Sequence, residues 1–319
     1  MGEMELDKTD RFRCRICGNE VNNEHFVVKE KMFGSNELFD YFKCSQCGCM
    51  QLLDEKMDMS KYYEGDYYSF NVHYKPNLIR DFLGKEFFKY KLGHFSVFGY
   101  AIDKMFPSKM QNWLDKDYIK FEDSILDVGC GSGRLLQLMR HRGFHKLRGL
   151  DPFNSEVINY GEDLVIYNHS IFEEHNKYDL IMLHYSFEHM PDPYIVFSKL
   201  NDLLNDNGTL LIRIPLIDSY SWRKYGTTWV QMDAPRHIYV HTVNSFVYLS
   251  KKCGFDVKKI LYDSGEYQFL YSEKYLRGYS FDSPVNVFSK KELKKLHKFS
   301  LELNKIHDGD QATFYLKRL

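Results

Sequence analysis

The sequence carries almost no excess charge: 43 lysines and arginines stand against 44 aspartates and glutamates, a formal net charge of −1. So balanced a chain exerts no global pull on phosphate backbones or anionic lipid, and no long basic stretch makes up for it, which argues against a nucleic-acid partner. Long hydrophobic runs are missing too. None approaches the roughly 18 residues that a membrane span needs, and the N-terminus lacks the apolar core of a signal peptide. The expectation is a soluble cytoplasmic protein with no membrane partner. Internal repeats and low-complexity segments are absent, which leaves globular domains as the frame. At 319 residues, two domains are the prior: one doubly wound unit and something smaller.

Cysteine is scarce, and its placement excludes a disulfide framework. Of seven cysteines, four form two matched knuckles, Cys14-Arg-Ile-Cys17-Gly18 and Cys44-Ser-Gln-Cys47-Gly48. Each Cys-x-x-Cys-Gly turn offers two thiolates, and its glycine permits the tight geometry, so the pair reads as a structural tetrahedral zinc site. A pair of redox dithiols is the competing reading. A module this small lacks the core to fold alone, so the metal would supply much of its folding energy. Cys49 reads as a bystander, and Cys130 and Cys253 as small buried thiols.

Two nucleotide-binding signatures are also missing. In Ser124-Ile-Leu-Asp-Val-Gly-Cys-Gly-Ser-Gly133 an apolar strand runs into three alternating glycines and then a helix-like segment, Arg134 to His141. Counted from Gly129, however, the sixth place is Arg134, so no G-x-G-x-x-G dinucleotide fingerprint exists, and no Gly-Lys-Ser/Thr closes a P-loop. Three further segments fit the same pattern. Leu147-Arg-Gly-Leu-Asp-Pro152 reads as a strand ending in Asp151, where a carboxylate can accept from a ribose diol; a helix cap or simple turn is the alternative. Tyr178 to Pro193 is an apolar strand opening into Phe187-Glu188-His189 and a Pro-Asp-Pro helix start, and Asn205 to Pro215 is a turn followed by a strand.

These four segments, in this order, resemble the motifs of the class I S-adenosylmethionine-dependent methyltransferases; Leu126-Asp127-Val128-Gly129-Cys130-Gly131-Ser132-Gly133 looks like motif I and Tyr178 to Pro193 like motif IV. The resemblance implies an α/β fold: a doubly wound, Rossmann-like, mainly parallel seven-stranded sheet ending in a hairpin of its last two strands. Strands are expected near 124–129, 146–151, 163–167, 178–185, 208–214, 255–262 and 312–318. The expected organisation is a zinc ribbon over 1–58, a helical connector and cofactor lid over 59–112, and the methyltransferase domain over 113–319, with 263–310 as a helical insertion in the terminal hairpin. The connector is rich in tyrosine; Tyr62, Tyr63, Tyr67 and Tyr68 either line the cofactor pocket or bury the ribbon against its neighbour.

For the site, the resemblance implies S-adenosylmethionine held by Asp127, Gly129, Cys130, Gly131, Gly133, Asp151, Pro152 and Tyr185, with Ser170 and Ile171 toward the adenine, where most relatives carry an acid. Methyl transfer to a hydroxyl needs a proton removed, and His189 beside Glu188 is the candidate general base, with a helix-capping role as the alternative. Quinone-pathway O-methyltransferases resemble this motif but carry a further Glu three residues before Glu188; Tyr185 stands there, which argues against a divalent cation held by carboxylates. The loop Trp229-Val-Gln-Met-Asp-Ala-Pro-Arg-His-Ile-Tyr-Val-His241 lies where this fold inserts acceptor-binding elements. In it Trp229 can stack on a sugar, Arg236 can clamp a phosphate, and Asp233 and His237 complete the candidate contacts, unless Asp233 and Arg236 simply pin the loop. The loop is similar to that of a bacterial subgroup in polysaccharide and antibiotic-sugar pathways, which makes a sugar or nucleotide-linked sugar the expected acceptor. An RNA methyltransferase using Arg11, Arg13, Arg15, Lys29 and Lys31 of the ribbon, and a non-catalytic cofactor-binding scaffold, are the alternatives.

Overall fold

Alternating apolar residues with both faces covered build the centre of the molecule. The computed structural model describes residues 12–54, 57–63, 74–106 and 113–319. In chain order the described strands and α-helices are β1 (Glu24–Lys29), β2 (Leu38–Lys43), β3 (Met50–Leu52), α1 (Leu78–Lys91), α2 (Val97–Met105), β4 (Ile125–Val128), α3 (Arg134–Arg142), β5 (Leu147–Leu150), β6 (Ile158–Asn159), β7 (Leu164–Tyr167), β8 (Tyr178–His184), α4 (Pro193–Leu203), β9 (Leu204–Pro215), α5 (Tyr220–Tyr225), β10 (Tyr239–Val240), α6 (Val243–Lys252), β11 (Phe255–Tyr262), α7 (Tyr267–Leu276), α8 (Lys290–Lys305) and β12 (Gln311–Arg318). The main sheet runs β11-β12-β9-β8-β4-β5-β7-β6. Its middle, from β9 to β7, is parallel, and β12 is antiparallel to both β9 and β11.

Among the described residues the sheet has eight strands where seven were expected. The extra one, β6, is a two-residue edge strand antiparallel to β7, too short to leave an alternating pattern. β9 also begins earlier than expected: Asn205 to Gly208 remain in the strand as an irregularity, so that Tyr178 faces Leu204 but Leu180 faces Thr209. Along β8, Leu180 and Met182 join a core with Leu136, Met139, Phe87 and Phe88, while Ile181 and Leu183 join another with Phe197, Phe246 and Phe314. That period of two, apolar on both sides, is what helix-covered parallel strands require.

The ribbon hairpin β1–β2 continues through β3 into a four-stranded sheet, whose last strand is β10 from the distant loop 229–241: Tyr239 pairs with Gln51 and Val240 with Met50. Cys14, Val28 and Phe42 of the ribbon share one continuous core with Leu126 and Ile212 of the main sheet. Helices α7 and α8 lie between the antiparallel neighbours β11 and β12. Among the described residues no helix is long and apolar enough to cross a membrane.

Candidate functional site

Tight turns bring the four knuckle sulfurs together. Gly18 and Gly48 adopt φ of +79° and +76°, and the amides of Cys17 and Cys47 point back at the Sγ atoms of Cys14 and Cys44. Cys14 Sγ lies 3.6 Å from Cys47 Sγ, and Cys17 Sγ 3.5 Å from Cys44 Sγ. All four thiols are free, and their sulfurs lie within 4.8 Å of one another. Zinc–sulfur bonds of about 2.3 Å in a tetrahedron need sulfurs roughly 3.8 Å apart, so the set fits such an ion.

At the C-terminal ends of β4 and β5, the glycine turn leaves no room for side chains. A Cβ on Gly129 would meet Ser186 Cβ at 2.4 Å and one on Gly133 would meet Ile166 Cδ1 at 2.6 Å, and both residues hold left-handed φ near +75°. Gly133 opens α3, whose first amides face the turn. Asp151 is aimed into it: Oδ2 accepts from the Gly131 amide at 2.7 Å and Oδ1 from Phe153 at 3.1 Å. Burial raises the Asp151 carboxyl against those two bonds, and burial together with the neighbouring Asp151 pushes Asp127 up to about 7. Cys130 turns its thiol toward the Gly131 carbonyl, and Pro152 lies exposed in the turn after β5. Ser170 caps the helical turn Ile171–Glu173, its hydroxyl accepting from Phe172, and Ile171 is buried. Over this edge, Tyr63 stacks on Phe153 at 4.4 Å between ring centroids and places its hydroxyl 3.1 Å from His189 Nδ1. Tyr67 and Tyr68 lie outside the described residues.

Beside the turn is a cavity of about 1220 Å³, lined by His189, Asp233, His237, Arg213, Tyr185 and, from α7, Tyr271, among others. Tyr185 was expected on the cofactor; it lines this cavity, under the Arg213 guanidinium 4.7 Å from its ring, while the turn glycines and Asp151 do not. Glu188 is fully buried, and its carboxyl is pushed up to about 8, chiefly by burial with Asp233 adding to it. Burial, with His237 alongside, takes His189, the candidate general base, down to about 3, so it is an uncharged and weak base. His237 is lowered by burial as well, although Asp233 opposes it.

Two of the expected acceptor contacts are core residues. Trp229 is 1% exposed and donates from Nε1 to Asp310 Oδ2 at 3.0 Å, so its ring offers no face to a sugar. Arg236, also 1% exposed, donates to Asp233 and, at 3.2 Å, to Glu30 of the ribbon turn, with Phe33 against its guanidinium. The pairing that pins the loop is the arrangement present, and the cation is spent inside the protein rather than on a phosphate. Sequence reasoning missed Arg213, Asp263 and Asp310: Arg213 Nε meets Asp263 Oδ2 at 2.8 Å at the cavity wall. The signal was a lone arginine in an otherwise apolar strand end, Leu-Leu-Ile-Arg-Ile-Pro. Of the ribbon cations, Arg15 donates to the Leu52 carbonyl, Lys31 to that of Tyr275, and Arg13 pairs with Glu20; Arg11 lies outside the described residues.

A sequence profile of the methyltransferase-domain family matches residues 98–260. Among curated proteins, the chain is 31% identical over 114 residues to a ubiquinone biosynthesis O-methyltransferase of Aeromonas salmonicida (32% of this chain, 47% of that protein). It is 26% identical over 113 residues to a protein of the same description from Leptothrix cholodnii (32% and 48%). The chain thus spans about half the length of these relatives. A solved structure of an S-adenosylmethionine-dependent methyltransferase from Archaeoglobus fulgidus is similar at 18% identity and a TM-score of 0.42, covering 69% of this chain and 92% of that one.

Proposed function

The chain belongs to the methyltransferase-domain family, and from that premise we propose that it transfers the methyl group of S-adenosylmethionine to a small polar acceptor, a sugar or nucleotide-linked sugar, with a structural zinc ion in its ribbon. The observation that carries the reading is the placement of the glycine turn, with Asp151 aimed into it, beside a cavity walled by hydrogen-bonding side chains. When bound, the cofactor supplies an electrophilic sulfonium methyl. Gly129, Gly131 and Gly133 hold the left-handed turn on which it would sit, and Asp151 would accept from its ribose hydroxyls. Gln231, Gln268, Tyr267 and Tyr271 line the neighbouring cavity, where an acceptor with several hydroxyls finds both donors and acceptors. Tyr63, stacked on Phe153 and in reach of His189, lies over the junction.

The ribbon's inward-turned Arg15 and Lys31 favour a small acceptor over RNA. Incubation with radiolabelled S-adenosylmethionine and separated fractions of a cell extract tests this. Label in nucleotide sugars and small metabolites, lost in Asp151→Ala, supports the proposal. Label in RNA or protein overturns the acceptor class, and tight cofactor binding with no label anywhere leaves a scaffold.

A further inference from the structure

Glu188 and His189 come from the turn after β8, and His237 comes from the acceptor loop almost fifty residues later, yet one ligand atom from each lies within 4.8 Å of the others. We propose that Glu188, His189 and His237 form a site for a divalent first-row transition-metal cation at the wall of the acceptor cavity, distinct from the ribbon thiolates.

The histidines are held as metal-ligating histidines are. His237 Nδ1 lies 2.7 Å from the Gln231 carbonyl, and His189 Nδ1 lies 2.9 Å from that of Arg236. A carbonyl only accepts, so each Nδ1 carries the hydrogen and each Nε2 is left as a lone pair. The Tyr63 hydroxyl, 3.1 Å from His189 Nδ1, then shares that hydrogen as a second acceptor.

Glu188 supplies the third ligand. Its side chain is fully buried, and neither carboxylate oxygen accepts a hydrogen bond from another described residue. Oε1 faces His237 Nε2 at 3.9 Å, and Asp233 Oδ2 lies equally far from the same nitrogen. The Arg236 guanidinium answers Asp233, but no donor of another described residue reaches the Glu188 carboxylate, so its oxygens and the two Nε2 lone pairs are left for a cation to gather. Metal–nitrogen and metal–oxygen bonds of about 2.1 Å place tetrahedral ligands roughly 3.4 Å apart, so side-chain rotations of about 1 Å close the set. Two imidazoles and one carboxylate suit zinc, cobalt, iron or manganese; magnesium and calcium prefer all-oxygen shells. His189 and His237 line the cavity, so the remaining coordination positions open toward an acceptor oxygen. That role rests on the methyl-transfer reading; binding of the cation does not.

The full chain with its ribbon metal retained is titrated with cobalt(II), followed by calorimetry and visible absorption. The expected result is one equivalent bound with weak d–d bands and no thiolate charge-transfer band. Glu188→Gln and His237→Gln each weaken it at least about tenfold, while ribbon metal content and thermal unfolding stay near wild type. No equivalent beyond the ribbon metal in the wild type, or equal binding in both variants, overturns the site. Because neither cofactor nor acceptor is present, a chain that binds cobalt but methylates nothing refutes the proposed function alone.

Discussion

Replacing Arg236 with methionine separates the two roles open to this arginine. As a clamp on an acceptor phosphate, it would matter only when substrate is bound: KM would rise and the free protein would be unaffected. The structure gives it a different burden. Its guanidinium is buried between Asp233 of the acceptor loop and Glu30 of the ribbon turn, which itself accepts from the amides of Phe33 and Ser35. Methionine keeps much of the volume but leaves two carboxylates facing each other without a cation. Losing one partner of a buried pair costs about 3–5 kcal/mol, most of it the penalty of the abandoned charge. Equilibrium urea unfolding should show that loss. Adding Glu30→Gln to Arg236→Met should cost less than the two single changes sum to, because the second change removes one abandoned charge. Cofactor binding, measured by calorimetry at low urea, should stay near wild type, since Asp151 and the glycines are held by other contacts. Unfolding within about 0.5 kcal/mol of wild type together with a raised acceptor KM would refute this reasoning and restore the clamp.

Three further outcomes follow from the geometry. Gly129→Ala puts a Cβ 2.4 Å from that of Ser186 at a left-handed φ, so S-adenosylmethionine binding by calorimetry should fall at least about tenfold. Burial raises Asp310 from 3.8 to about 6, so the folded state holds an extra proton between those values: its contribution is complete below pH 3.8 and is lost as pH rises through 6. Asp310→Asn should therefore gain on wild type by about 1.4 kcal/mol per pH unit across that window, read from unfolding curves at several pH values. Cys44→Ser should release the ribbon metal and loosen β10 with it, seen as faster amide exchange at Tyr239 and Val240 while β4 and β5 remain protected.

How much of this was legible in the sequence depends on the distance over which the controlling interaction acts. The glycine turn is local: strand, turn and helix are contiguous, and the same residues that write the pattern fill the geometry. The knuckles are local twice over. The strands of the main sheet announce themselves because both their faces are buried, and only the two-residue β6 falls below the length at which periodicity speaks. Trp229, Arg236 and His189 went differently because what fixes them lies far along the chain: Asp310 for the indole, Glu30 for the guanidinium, and general burial for the imidazole. A polar, aromatic loop has the same composition whether it greets a ligand or is folded inward.

The inward fold of that loop also changes what the ribbon is for. Its sheet is incomplete without β10, the Tyr41 hydroxyl donates to the His237 carbonyl, and the Thr242 hydroxyl donates to the Cys47 carbonyl within the second knuckle. With the Arg236–Glu30 pair, these contacts run from the thiolates to both sides of the segment that carries His237. A module remote from the glycine turn in sequence thus helps set the backbone of the cavity wall that carries His237, whereas Asp151 is held within the turn at the edge of the main sheet. Although the ribbon and the main sheet share one core, the ribbon hydrogen-bonds the loop while Asp151 is held by the turn, so on the methyl-transfer reading damage to the ribbon should raise acceptor KM before it weakens cofactor binding. Equal sensitivity of the two to graded chelation would overturn that order.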